Sequence, residues 1–342
     1  GNFEALMAAI QGGANSIYFG VENLNMRSHS ANNFTMADLP EITRICSENN
    51  VKSYLTLNII MYNEDLEKGK QTLQAALDAG VSAVIASDIS VILYARSIGL
   101  EVHISTQANI SNIEAVRFYS QFADVVVLAR ELNMEQVKEI HNQIIEQNIC
   151  GPSGRLVEIE MFCHGALCMA VSGKCYLSLH EYNHSANRGS CFQICRRGYE
   201  VTDLETGRQL EVDNKYIMSP KDLCTIEFMD KMFNAGVKVF KIEGRARGAE
   251  YVKKVASAYR RAADLLEEGT FTPEKATEFK KELEEVFNRG FWDGYYQGAR
   301  LGEWSKVYGS NATRKKTYIG KVTNYFSNIN FCNNKVAYEG QP

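Results

Sequence analysis

The sequence predicts a parallel α/β fold of the (β/α)8 barrel type, on two observations. Helical and strand patterns alternate along the first 250 residues, and the strands are short apolar runs entered from a glycine or another small residue. Alternation of this kind belongs to parallel sheets covered by helices, whose buried strands need no polar face. A doubly wound open sheet is the alternative that alternation leaves open. Composition agrees with either. A chain of 342 residues, 45% hydrophobic and 23% charged with 5 prolines, has apolar material for one barrel-sized domain or two smaller ones.

Gly1 opens directly onto the helical pattern NFEALMAAIQGG, so the first of the eight strands is expected ahead of it. Seven strands then follow, within QGGANSIYFG (11–20), VKSYLTLN (51–58), DAGVSAVIAS (78–87), LEVHISTQAN (100–109), QFADVVVLAR (121–130), RLVEIEMFC (155–163) and NAGVKVFKIEG (234–244). The helices between them include 36–50, 63–80 and 133–148, with apolar residues at helical spacing. Past residue 250, EYVKKVASAYRRAADLLEEG and TPEKATEFKKELEEVFNRG cover or extend the barrel, and from Thr317 short β-like runs begin a small β domain that stops early, at Pro342. The expected organisation is therefore residues 1–162 as the first part of the barrel, 163–233 as a cysteine-rich insertion, 234–310 as the last strand with a helical extension, and 311–342 as the start of the β domain.

A formal net charge of -4 and a pI near 6.0 exclude a bulk electrostatic trap for nucleic acid but not a local basic patch. CRRGY (195–199), GRARGAEYVKK (244–254) with YRR (259–261), and YGSNATRKKTYIG (308–320) each combine basic and aromatic residues. The competing explanation for each is a solvated charged face. No apolar run approaches the roughly 20 residues that span a bilayer, and no leader precedes Gly1, so a cytoplasmic protein without membrane contact is expected. In that compartment thiols stay reduced, and an odd total of 9 cysteines fits a disulfide framework badly.

In a barrel, chemistry sits at the C-terminal ends of the strands. That nominates Asn58, Ser105, Thr106, Gln107, Arg130, Glu131, His164, Glu243 and Arg245. The insertion falls on the same face and, at roughly seventy residues, is far beyond an ordinary loop, so something must hold it. It carries Cys168, Cys175, Cys191 and Cys195, separated by six, fifteen and three residues, with glycines at 165, 173, 189 and 198 that let the backbone bend around a centre. Four thiolates suit an iron–sulfur cluster, which tolerates irregular spacing. Zinc is disfavoured, since no CxxC knuckle appears, and scattered structural thiols remain the third reading. Cys46, Cys150 and Cys332 suit structural positions, Cys163 ends a strand, and Cys224 is expected to open a helix while staying in reserve as a ligand.

The segments EIEMFCHGALCMAVSGKCYLS, NRGSCFQICRRGY, YIMSPKDLCTI and KIEGRARGAEYV resemble the collagenase-like peptidase family, family thirty-two of the unassigned peptidases, nearly end to end. Within it the chain is similar to bacterial proteins required for 5-hydroxyuridine formation at the tRNA wobble position. It is also similar to relatives that hydroxylate a cytidine of 23S ribosomal RNA, while other members act in oxygen-independent ubiquinone hydroxylation. The resemblance implies a four-iron four-sulfur cluster on Cys168, Cys175, Cys191 and Cys195, prephenate as the hydroxyl donor, and tRNA or another RNA as partner. The family's usual first strand and longer C-terminal β domain are absent here, which looks like truncation. The peptidase label finds neither an HExxH helix nor a GxSxG elbow. A Cys163–His164 dyad is disfavoured because neighbouring strand side chains face opposite ways.

A dicarboxylate donor needs cations. Arg27, Arg130 and Arg245 lie on loops after strands, where each could equally make a structural salt bridge. Glu243 is expected to orient an arginine or act as a base, and His164 to be a hydrogen-bonded strand-end residue or a general acid/base. The expected catalytic set is Glu243, His164 and Arg130, with Arg27, Asn58, Gln107 and Arg245 binding substrate. The alternatives are a peptidase with an unrecognised site, hydroxylation of another base or a quinone, and an iron–sulfur scaffold for a partner chain.

Overall fold

The computed structural model describes residues 1–28, 33–200, 202–207, 216–298 and 302–314, and the backbone of 320–326 and 331–336. Helix α1 (Phe3–Gln11) starts at Asn2, whose side chain accepts the Ala5 N–H at 2.8 Å. It leads into β1 (Ser16–Phe19), followed by α2 (Leu39–Glu48), β2 (Lys52–Leu57), α3 (Leu66–Asp78), β3 (Ala83–Ala86), α4 (Ile89–Ser97) and β4 (Val102–Ile104). Next come α5 (Ile113–Tyr119), β5 (Val125–Val127), α6 (Met134–Glu146) and β6 (Glu158–Gly165). From β1 to β6 each strand pairs in parallel with the next. Every residue of β3, β4 and β5 is buried, as strands covered on both faces require.

The insertion, with the short helix α7 (Leu177–Tyr182), follows β6. The chain returns through β7 (Asp222–Cys224), antiparallel to the end of β6, then α8 (Met229–Asn234) and β8 (Val237–Ile242), which runs parallel to β6. Cys224 was expected to open a helix and instead lies in β7. The Asp222 carboxylate accepts the Arg289 N–H and pairs with its guanidinium, both at 3.2 Å, which holds this stretch extended; α8 begins only after a 3-10 turn at Ile226–Phe228.

Helices α9 (Ala249–Glu267) and α10 (Pro273–Glu284) form the helical extension, and β9 (Phe291–Trp292) adds to β7 in parallel. An antiparallel hairpin, β10 (Gly320–Phe326) and β11 (Phe331–Val336), ends the described chain. The predicted parallel α/β architecture is present. Among the described residues no ladder closes β8 onto β1. The two strands are bridged instead by the Tyr18 hydroxyl, which donates to the Ile242 carbonyl at 3.1 Å, and by α1 lying on α9. That helix contact needs Gly12, where a β carbon would meet Ala256 Cβ at 2.7 Å and the Lys253 carbonyl at 2.9 Å. Among the described residues no helix is long and apolar enough to cross a membrane.

Candidate active site

Polar side chains converge beyond the C-terminal ends of the parallel strands. Ser105 follows β4 and caps a 3-10 turn at Thr106–Ala108, its Oγ accepting the Gln107 N–H at 3.3 Å. The same hydroxyl accepts from Asn58 Nδ2 at 3.3 Å, and Asn58 Oδ1 accepts the Met26 N–H at 3.3 Å, so the loops after β1, β2 and β4 are joined. Across the mouth, Arg245 grips Glu243 in a fork, Nη2 to Oε2 at 2.7 Å and Nε to Oε1 at 3.1 Å, while its backbone N–H donates to Oε1 at 2.9 Å. Glu243 is buried and Arg245 largely so. Burial alone would push the Glu243 carboxyl up, but the Arg245 charge and hydrogen bonds, with Arg27 adding to them, bring it down to about 2. Burial likewise acts to depress Arg245, and Glu243 and then Tyr18 outweigh it and raise its pKa.

Deeper in, Lys241 and Glu160 form a buried ion pair, and the Lys241 ammonium lies 4.7 Å from the centre of the Tyr18 ring, with Arg245 at 5.1 Å. Tyr18 is held neutral: burial, then the Glu243 charge, raise its pKa. Lys241, Glu160 and Tyr18 went unnoticed in the sequence because they stand inside strands. The available signal was a charge or a phenol inside an otherwise apolar run.

Three ties hold the insertion over this mouth. The Arg188 guanidinium donates to Asp65 at 2.6 Å and to the Ile60 carbonyl at 3.1 Å while stacking 3.7 Å from the Tyr62 ring centre. Ser28 Oγ donates to the Gly189 carbonyl at 3.2 Å. Arg130 Nη2 donates to Ser172 Oγ at 2.8 Å, and Asn109 Nδ2 to the Ser172 carbonyl at 3.2 Å. Gly173, at φ +75°, brings its backbone against Gln107 where a β carbon would overlap Oε1. Buried polar atoms without a protein partner remain around the mouth: Thr106 Oγ1, Gln107 Oε1, Asn109 Oδ1, Arg130 Nε and Arg245 Nη1. Such atoms are uncommon in a finished core and mark where a bound molecule or water is received.

Hydrogen bonds to charged groups contribute about 1.5–3 kcal/mol. Arg188→Ala is therefore expected to raise the rate of limited proteolysis within 166–200 about tenfold, with the parallel sheet left intact. Unchanged cleavage would mean that the insertion is held elsewhere.

Cys168, Cys175, Cys191 and Cys195 are free thiols, Cys168 exposed and the other three half-buried. They share one electrostatic neighbourhood. Burial pushes Cys195 up to about 11, with the other three thiols adding to the effect, and burial also raises Cys175, with Cys168 and Cys191 contributing. Among the described residues no three His, Cys, Asp or Glu side chains stand close enough to form a ready-made metal site. Arg196 braces the segment from within, donating to the Leu167 carbonyl at 2.6 Å and to Ser219 Oγ at 3.1 Å.

Cys224, the reserve ligand, sits instead in a separate buried knot with Cys163, His164 and Tyr259. The Tyr259 hydroxyl donates to the Cys163 carbonyl at 2.8 Å and lies 3.4 Å from His164 Nδ1. His164, named as a catalytic residue, is enclosed by the rings of Tyr251, Tyr259 and Phe291. Burial and then the Arg247 charge push its pKa down to about 3, which favours the neutral imidazole within this aromatic enclosure. The basic patches are also largely engaged. Lys254 pairs with Glu285, Arg260 with Asp264 and Arg261 with Glu282, while Arg197 pairs with Glu181. Residues 315–319 of the last patch lie outside the described residues.

Known proteins resemble this chain over most of its length. The profile of Peptidase family U32 matches residues 1–306. A Porphyromonas gingivalis protein named "Collagenase" is 61% identical over 329 residues, covering 96% of this chain and 80% of its own length. The "tRNA hydroxylation protein P1" of Bacillus subtilis is 34% identical over 336 residues, covering 95% of this chain and 76% of its own. The "23S rRNA 5-hydroxycytidine C2501 synthase" of Escherichia coli is 34% identical over 302 residues, covering 86% and 44%.

Proposed function

The chain belongs to peptidase family U32, and from that premise we propose that it is an RNA-modifying enzyme that hydroxylates a pyrimidine base, the wobble uridine of tRNA in the first instance. The observation that carries this reading is the insertion itself: four free thiols pinned across a polar, arginine-bearing mouth. Its outer face is also suited to nucleic acid. Tyr176, Tyr182 and Phe192 are exposed, Tyr182 and Phe192 rings lie 5.2 Å apart, and the Arg197 guanidinium lies 5.5 Å from Tyr182. Aromatic rings with arginine form stacking platforms for unpaired bases.

Cys168, Cys175, Cys191 and Cys195 would hold a four-iron four-sulfur cluster, their loops drawing in around it. When bound, such a cluster supplies one-electron chemistry or a coordination position for substrate. The residue types suit such a cluster, since all four are free sulfurs on one insertion, and binding would draw together side chains that do not yet form a ready-made site. Prephenate, a small dicarboxylate, is the proposed hydroxyl donor. Arg245, with a buried Nη1 lacking a partner, and Arg27 would orient its carboxylates. Glu243 fixes the Arg245 fork, while Asn58 and Gln107 close the opposite wall.

Mass spectrometry of tRNA and ribosomal RNA nucleosides from a host lacking the gene is expected to show loss of one 5-hydroxypyrimidine, restored by the wild-type gene. Unaltered nucleosides would sink the reading. The 61% identical relative is named for collagen cleavage; digestion of gelatin by protein prepared without oxygen, abolished by one point substitution, would put peptidase activity in its place.

A further inference from the structure

Two arginines near the His164 enclosure carry more positive charge than their surroundings answer. Arg247, on the loop after β8, lies with its guanidinium 4.0 Å from the centre of the Phe287 ring and 5.8 Å from that of Tyr251. Arg289 lies 5.1 Å from the same Phe287 ring. Arg289 Nη1 pairs with Asp222 at 3.2 Å, whereas Arg247 makes one hydrogen bond, from Nη1 to the Ala246 carbonyl at 3.2 Å, and no ion pair among the described residues. Burial lowers the Arg247 pKa, Asp222 opposes the shift and Arg289 adds to it. Glu243, the other carboxylate that reaches Arg247, is already gripped by Arg245. One carboxylate therefore serves two guanidiniums. Nε and Nη2 of both arginines have no protein partner among the described residues, and none is sealed in the core: the buried nitrogens without a partner include Arg130 Nε and Arg245 Nη1 but none of Arg247 or Arg289. These donors are open to a molecule arriving from solvent. Gly248 then leads into α9, 19 residues long and without a side-chain cap, so the helix dipole adds to the same positive field.

We propose that Arg247 and Arg289 bind one phosphate group, at a site to which neither the Glu243–Arg245 fork nor the four thiols contribute. Planar guanidiniums present N–H donors in a fork that matches phosphate oxygens, and the negative charge of the ligand offsets the surplus that Asp222 leaves. The Phe287 ring packs against both arginines, so less side-chain freedom is lost when the anion arrives. The inference goes beyond the RNA-modifying reading, because the same chemistry has two sources. One is a phosphodiester of an RNA backbone; the other is free phosphate or a phosphorylated small molecule.

Arg247→Gln is the informative variant, because Arg247 has no carboxylate partner to strand. Replacing Arg289 would strand Asp222, which is 2% exposed. Calorimetric titration of the parent with inorganic phosphate, at an ionic strength held constant with sodium chloride, is expected to show saturable binding. In Arg247→Gln that binding should weaken about tenfold or more, as loss of charge-assisted hydrogen bonds implies, and Arg247→Lys, which keeps the charge without the fork, should recover part of it. If Arg247→Gln folds poorly, Arg247→Lys is compared with the parent instead. A short single-stranded RNA and the same strand with uncharged methylphosphonate linkages separate the two sources. A parent that prefers the charged strand, with the preference lost in Arg247→Gln, assigns the site to an RNA backbone. Phosphate binding lost while RNA binding is unchanged assigns it to free phosphate or a phosphorylated small molecule. Equal affinities in parent and Arg247→Gln for both probes, or no binding of either probe to the parent, overturns the site. The readout needs no turnover. Arg247-dependent phosphate binding in a chain whose deletion leaves RNA nucleosides unaltered would keep the site and remove the hydroxylation reading; RNA modification in cells with Arg247-independent binding would do the reverse.

Discussion

A Cys191→Ala, Cys195→Ala double variant prepared without oxygen is expected to lose all of the iron and acid-labile sulfide that the parent carries at about four irons per chain. RNA modification should fall below detection with it. The parallel sheet should keep its thermal transition, because Arg188–Asp65, Ser28–Gly189 and Arg130–Ser172 all hold the insertion from outside the quartet. That separation makes the result informative: lost metal with an unchanged main transition assigns these thiols to the cluster rather than to folding. Zinc in the parent, or no metal at all, would end the cluster proposal and return attention to peptidase chemistry.

Arg245→Met is expected to have the largest effect on stability. It removes one partner of a buried pair and leaves Glu243 charged without its fork, a change that costs about 3–5 kcal/mol. Arg27, whose charge also reaches Glu243, keeps the loss toward the lower end of that range. The pH dependence should change sign as well. In the parent the Glu243 carboxyl lies near 2, below its ordinary value of 4.5, so its contribution to stability is complete above about pH 4.5 and is lost as pH falls toward 2. In Arg245→Met burial is the dominant remaining influence and raises the carboxyl, so that part of the loss is recovered on mild acidification. An Arg245→Met, Glu243→Leu double variant should regain most of the stability while remaining inactive, since an apolar pair fills the space without binding a carboxylate. Chemical denaturation between pH 3 and 8 checks this; a loss under about 1 kcal/mol in the single variant, with no change of pH profile, would show that the pair is not coupled.

Much of the fold could be read from the chain because buried parallel strands are continuous apolar runs, and SAVIAS or DVVVLAR can hardly be anything else. Strands β7 and β9 could not, being two or three residues long and fixed by the distant Asp222–Arg289 pair. At the site, Asn58, Gln107, Arg130, Glu243 and Arg245 all reach the mouth, since their positions after strands already stated it. His164 did not follow: it also ends a strand, but its neighbours on α9 and β9 come from a hundred residues downstream and wall it off. Arg188 and Ser172 were invisible for the same reason, as each acquires its role from a loop far away in sequence.

If the chain binds RNA as proposed, the Arg188–Asp65 tie also shapes how that affinity depends on salt. The pair is partly solvent-accessible, and the hydrogen bond from Arg188, ahead of burial, holds the Asp65 carboxyl low, so ordinary changes of pH leave it closed. Ionic strength is different, because partly exposed charges are screened within about 8 Å at physiological salt. Raising salt therefore loosens the cover over the mouth while it also weakens phosphate contacts through the ion atmosphere of the RNA. The slope of log affinity against log salt will combine both effects and overstate the number of phosphates the protein touches, unless it is corrected with an Arg188 variant whose cover is already loose.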